Sequence, residues 1–190
     1  MSEKDKGHTI SELGDRRFGL FGDITPDSIQ RLGDKILRSY QKNPDKEIEL
    51  YLTSLGGWPI IAFAFYDLIT KVLKCNLRTI GSGSVSSVAL LVFLTGRVRV
   101  LTPHTILYFR RGWYRSEPAF KFNGFHPGQD GVGGLARLEH LSDDYFAEIV
   151  AQSSRNGKLT ADQVTAMVRD EVVITPPEAL ALGLVDEILD

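Results

Sequence analysis

The sequence predicts an α/β protein with a largely parallel sheet covered by helices. Three observations carry this. Residues 47–53 alternate, with Ile48, Leu50 and Leu52 on one face and Glu47, Glu49 and Tyr51 on the other. Residues 59–73 are apolar on nearly every side, as a buried helix would be. Up to residue 109 the order reads strand, helix, strand, helix, strand, helix, strand, strand. Alternation of this kind favours parallel strands joined by right-handed helical crossovers.

Along the chain, residues 1–17 are polar and read as a flexible N-terminal segment, with a single domain over 18–190. Residues 18–24 are a first short strand. Thr25-Pro26-Asp27 combines a capping hydroxyl, a proline at the first helical position and an acid in the first turn. The helix it opens carries Ile29, Leu32, Ile36, Leu37 and Tyr40 at helical spacing and stops near Asn43-Pro44. The strand over 47–53 ends at Ser54-Leu55-Gly56-Gly57 and the helix over 59–73 follows. Residues 77–80 are a strand running into Gly81-Ser82-Gly83-Ser84, with an apolar helix beginning near Val85. Strands over 97–100 and 105–109 come next. The excursion 110–134 is rich in glycine, proline and aromatics, a composition that suits an interface or a functional loop. A long amphipathic helix over about 135–153 follows, with Leu138, Leu141, Tyr145, Ile149 and Val150 on one side. Thr160 and Thr175 open two further helices, the second with Glu178 completing a capping box.

Composition narrows the function. The 190 residues carry 22 basic and 24 acidic side chains, a net charge of −2, so no basic excess points to nucleic acid. Cys75 is the one cysteine, which excludes an internal disulfide and a cysteine-built zinc site and suits a reducing cytoplasm. The apolar runs 58–66 and 88–94 fall short of the roughly 18 residues a membrane helix needs, and the N-terminus lacks the apolar core of a signal peptide.

Two motifs could carry chemistry. In Gly81-Ser82-Gly83-Ser84-Val85-Ser86-Ser87, a serine at a helix start is placed to act as a nucleophile beside backbone N–H donors. Small residues there would equally let a helix pack closely on the sheet. Gly56-Gly57 permits close approach of a ligand, or a tight strand-to-helix turn.

Taken together, the motifs resemble the ClpP family, the proteolytic subunit of ATP-dependent Clp protease, within the crotonase-like superfamily. The resemblance rests on residues 48–57 ending in Thr53-Ser54-Leu55-Gly56-Gly57, on Ala64-Phe65-Tyr66-Asp67, on 79–96, and on Thr175-Pro176-Pro177-Glu178-Ala179 followed by Gly183-Leu184-Val185-Asp186. It implies repeated βαβ units, a handle formed by the excursion and the long helix, and acyl-enzyme chemistry without metal or organic cofactor. By resemblance the nucleophile falls on Ser87, the oxyanion donors on the N–H groups of Gly57 and Val88, the catalytic histidine on Phe109, and the triad aspartate on Glu171, with Asp170 beside it. Phenylalanine accepts no proton, so the triad is degenerate and the expectation is an inactive or very weak peptidase.

Of the four histidines, His104 lies five residues before Phe109, on the opposite strand face and roughly 16 Å along it. His8 lies in the N-terminal segment, and His140 reads as solvated on the long helix. His126, in the excursion, is the candidate substitute base; Lys121 is a weaker one. The resemblance further implies a homo-oligomeric ring, heptameric or stacked, acting on peptides or unfolded polypeptides. Arg110-Arg111-Gly112-Trp113 departs from the family's handle start. The N-terminus has no clear equivalent of its axial loop, which argues against docking of a Clp-type AAA+ ATPase. The rival readings are a structural ring subunit beside an active ClpP paralogue, an active peptidase using His126, and a crotonase-type acyl-CoA enzyme.

Overall fold

The computed structural model describes residues 8–111 and 132–190. Among the described residues eight strands form one sheet, in which β1 (His8–Gly14), β2 (Arg17–Gly22), β3 (Ile48–Ser54), β4 (Leu77–Ser86), β5 (Val98–Leu101) and β8 (Glu187–Ile188) are successive neighbours. β6 (Ile106–Tyr108) pairs with the second half of β4, and β7 (Val173–Ile174) pairs with β6. Pairings from β2 through β5 to β8 are parallel; β1–β2 and β6–β7 are antiparallel. The helices are α1 (Pro26–Lys42), α2 (Pro59–Asp67), α3 (Ala89–Phe93), α4 (Val132–Ser153), α5 (Ala161–Arg169) and α6 (Pro176–Ala181). The mixed α/β class and the mostly parallel sheet are as the sequence predicts.

Local signals explain several elements. β3 buries Ile48, Leu50 and Leu52 fully and leaves Glu49 and Tyr51 half-buried, so its period-two pattern sets the register of the sheet's centre. Thr25, Thr160 and Thr175 begin α1, α5 and α6 with reciprocal boxes closed by Ser28, Gln163 and Glu178. Each box satisfies helix-end N–H groups that would otherwise lack acceptors. α2 passes into a π-helical turn, Leu68–Val72, whose Leu73 N–H closes back on Leu68.

Three features depart from the sequence reading. First, His8–Gly14 forms β1 within the stretch expected to be a flexible terminal segment. The Arg16 side chain pins the β1–β2 turn: it donates to the carbonyls of Ser39 and Asn43 at the end of α1 and to those of Glu47 and Lys46. A guanidinium has five donors and no acceptor, so this carbonyl nest fits it. Second, the Gly81–Ser86 stretch is strand, and the short helix after it begins at Ala89 rather than near Val85. Leu52 pairs with Gly81 but Ser54 pairs with Val85, so β4 carries extra residues against β3. Gly83 takes a left-handed φ of +70° in this bulge. Thr53 and Thr105 hydroxyls donate to the Ser82 and Gly81 carbonyls there. Third, Glu187–Ile188 adds β8, and Asp186 before it accepts from the Arg99 N–H and from Arg155.

Buried Arg99 donates to the Ser153 carbonyl at the end of α4. Burial holds its guanidinium down to about 10. Among the described residues no helix is long and apolar enough to cross a membrane. Of the excursion expected over 110–134, residues 112–131 lie outside the described residues, His126 and Lys121 among them.

Candidate active site

The bulge in β4 moves the strand from one partner to another: β5 pairs with 78–81, β6 with 84–86. Ser87 follows the last paired residue. It is 3% exposed, and its N–H donates to the Tyr108 carbonyl of β6 at 2.9 Å. Its φ is +52°, in the left-handed region that costs a non-glycine residue roughly 1–3 kcal/mol. Strain of this kind persists where neighbours over-determine the backbone. Here β6 holds the Ser87 N–H, and the Ser87 carbonyl accepts from Leu90 N–H of α3.

Facing Ser87 is the loop after β3. Gly56 has φ +109°, and a Cβ on it would come within 2.9 Å of the Ser87 Cβ and 3.3 Å of its Oγ. The absent side chain is what lets the loop lie against the serine. Gly56 N–H donates to Ser54 Oγ at 3.1 Å. A parallel bridge then ties the loop to Ile24: Ile24 N–H donates to Gly56 O at 2.8 Å, and Trp58 N–H to Ile24 O at 2.9 Å. That bridge uses groups on both sides of Gly57 and leaves the Gly57 N–H outside the ladder. Val88 directly precedes α3.

A small crevice opens over Ser87. Pro59, Val88, Arg110, Arg111, Ser142, Asp143, Phe146 and Val168 line it with the serine. Among the described residues no histidine lines it. Phe109 does not line it either: β6 alternates, and Phe109 is fully buried on the same face as Leu107. The residue after it, Arg110, turns to the crevice. One Arg110 Nη donates to the Leu55 carbonyl at 3.2 Å, and the guanidinium carbon lies 5.8 Å from the Tyr108 ring centroid. Arg110 Nε is buried and has no acceptor among the described residues. Arg111 pairs with Asp143 of α4 at 3.1 Å. Burial pushes the Asp143 carboxyl above its ordinary range, with Arg111 pulling the other way.

The two carboxylates predicted as triad members stand elsewhere. Asp170 is bound at 2.8 Å by Arg169, which holds its carboxyl low. Glu171, at φ +51°, accepts the Tyr108 hydroxyl at 3.2 Å on the exposed side of the β6–β7 pair. Tyr108 thus stands between Glu171 and the Arg110 guanidinium. His104 is exposed in the turn before β6, and His140 is exposed on α4. Sequence reasoning missed Arg110. The sequence holds only a weak signal, since Ile106 is as apolar as Leu107 and Phe109, and it is the structure that buries Leu107 and Phe109 and leaves Ile106 exposed.

Next to the crevice, and sharing Ser142 with it, an open apolar groove runs between α2 and α4, lined by Ile60, Phe63, Leu138, Leu141, Tyr145 and Ile149 among others. Among the described residues no group of three or more His, Cys, Asp or Glu side chains is gathered as a metal site requires.

A mostly parallel sheet of this connectivity, covered by helices, is the ClpP/crotonase-like class of fold. The Clp protease family model matches residues 3–113. An ATP-dependent Clp protease proteolytic subunit 2 from Nocardia farcinica (strain IFM 10152) is 26% identical over 184 residues, spanning 93% of this chain and 82% of that protein. The chain belongs to the Clp protease family.

Proposed function

We propose that this ClpP-like protease subunit keeps the acyl-transfer cradle of a serine peptidase, with Ser87 as nucleophile and the Gly57 and Val88 N–H groups as oxyanion donors, but lacks an imidazole to activate the serine. The observation that carries this is the crevice wall: Arg110, not a proton acceptor, lines the crevice together with Ser87. A guanidinium stays protonated throughout the physiological range and cannot serve as general base. The degenerate position is therefore assigned to Arg110 rather than to Phe109. Without the base, catalysis falls back on the oxyanion donors and binding. The subunit is then a weak or inactive peptidase assembled into an oligomer with its own copies or with an active paralogue. Peptides or unfolded polypeptides are its ligands.

A fluorophosphonate probe tests this. The expected result is slow, sub-stoichiometric labelling at Ser87. Rapid stoichiometric labelling that disappears in Ser87→Ala would overturn it, and loss of that labelling in His126→Ala would name the base.

A further inference from the structure

Arg110 and Arg111 follow β6, whose Tyr108 carbonyl accepts the Ser87 N–H. Their side chains are anchored on either side of the Ser87 crevice. One Arg110 Nη donates to the Leu55 carbonyl, in the loop that leads to Pro59 of α2, and Arg111 pairs with Asp143 of α4. Pro59 and Asp143 both line the crevice, so the two arginines tie its walls together. Little space is left within. The room for water is about 20 Å³, enough for one molecule and too small for a peptide. Ser87 itself is 3% exposed. The anchoring is uneven. The Arg111 side chain is 72% exposed, and exposed ion pairs contribute little stability. The Arg111 end can therefore open locally while the domain stays folded.

We propose that Arg110-Arg111 is an autoinhibitory strap, which holds the Ser87 crevice shut to anything larger than water until the Arg111–Asp143 pair parts. No covalent step is involved. The strap limits access to Ser87, whereas the missing base limits the reactivity of a serine already reached. The inference uses the crevice and its two anchors alone and does not depend on the missing base.

The test replaces the serine by a thiol, whose thiolate reacts with iodoacetamide at mildly alkaline pH without a general base. Alkylation of full-length Ser87→Cys is followed site by site by mass spectrometry, with Cys75, 2% exposed in the core, reporting opening of the whole fold. The introduced thiol should react at least about tenfold slower in the native protein than in urea. Adding Arg111→Gln or Asp143→Asn should speed it about two- to fivefold, as loss of an exposed ion pair allows, with Cys75 unchanged. The double variant should gain no more than either single one, because both remove the same interaction. Higher ionic strength should speed alkylation only where the pair is intact. If circular dichroism shows Ser87→Cys unfolded, Ser142→Cys in the same crevice takes its place. Matching native and unfolded rates, an unchanged rate in both single variants, or acceleration shared by Cys75 would overturn the strap. The two readings separate. A freely alkylated thiol removes the strap and leaves the missing base standing. A protected thiol, with rapid fluorophosphonate labelling of Ser87 once Arg111→Gln opens the crevice, removes the missing base and leaves the strap.

Discussion

Replacing Gly57 by alanine probes how the cradle loop is held. Gly57 has φ +153°, which L side chains rarely adopt, and a Cβ there would meet the Ile24 carbonyl oxygen at 2.1 Å and the Ile24 nitrogen at 2.7 Å. Both obstacles are backbone, so no side chain can rotate out of the way. Relief requires the loop to leave Ile24, which breaks Ile24 N–H to Gly56 O and Trp58 N–H to Ile24 O. Each bond contributes about 0.5–1.5 kcal/mol net, and the forbidden φ adds roughly 1–3 kcal/mol. Together the expected destabilisation is about 2–6 kcal/mol. For a chain of this size that lowers Tm by roughly 4–24 °C. The measurement is urea unfolding of both proteins at equal protomer concentration, because oligomer formation would make apparent stability concentration-dependent. An unchanged slope with a lower midpoint would place the effect in native-state stability. A loss below about 1 kcal/mol would refute the close approach of Gly57 to Ile24, since neither strain nor bond loss could then be present.

Two further outcomes are expected. Arg110→His places an imidazole at the end of β6, and probe labelling of Ser87 should rise at least tenfold, the low end of what a general base contributes; no rise would remove Arg110 from the base's position. Asp186→Asn should flatten the acid limb of stability. Burial alone would raise the Asp186 carboxyl, but the hydrogen bond from Arg155, the Arg99 N–H and the two positive charges hold it below the ordinary range. A carboxyl depressed in the folded state adds stability above its unfolded value, near 3.9, which is lost as pH falls through the folded value. Urea midpoints should therefore fall less steeply below about pH 4 in the variant than in the parent, and parallel decline would contradict the role of Asp186.

Much of the fold was legible because its signals are local. The Thr25 box with Pro26, the Thr175 box with Glu178, and the alternation of Ile48, Leu50 and Leu52 each depend on residues within a turn or a strand of one another. β1 was not legible, because the Arg16 turn that closes it finds its carbonyl partners 23 to 31 residues away. The strand character of Gly81–Ser86 was hidden for a similar reason. Its glycines and serines suit a helix cap as well as a bulge, and only the pairing of Ser84, Val85 and Ser86 with β6 selects the bulge.

The sequence by itself determined the class of fold, the helix starts, and the Gly81–Ser87 and Gly56-Gly57 motifs, since each follows from composition and short-range spacing; Ser87 within the first motif came from the resemblance to the Clp protease family. Which side chain closes the crevice was a tertiary decision. Phe109 and Arg110 are adjacent in the chain just beyond β6, but the ring is buried in the core while the guanidinium lines the crevice with the serine. A one-residue shift along a strand exchanges those destinations, and the bulge in β4, with its long-range partners, fixes where β6 lies beside Ser87.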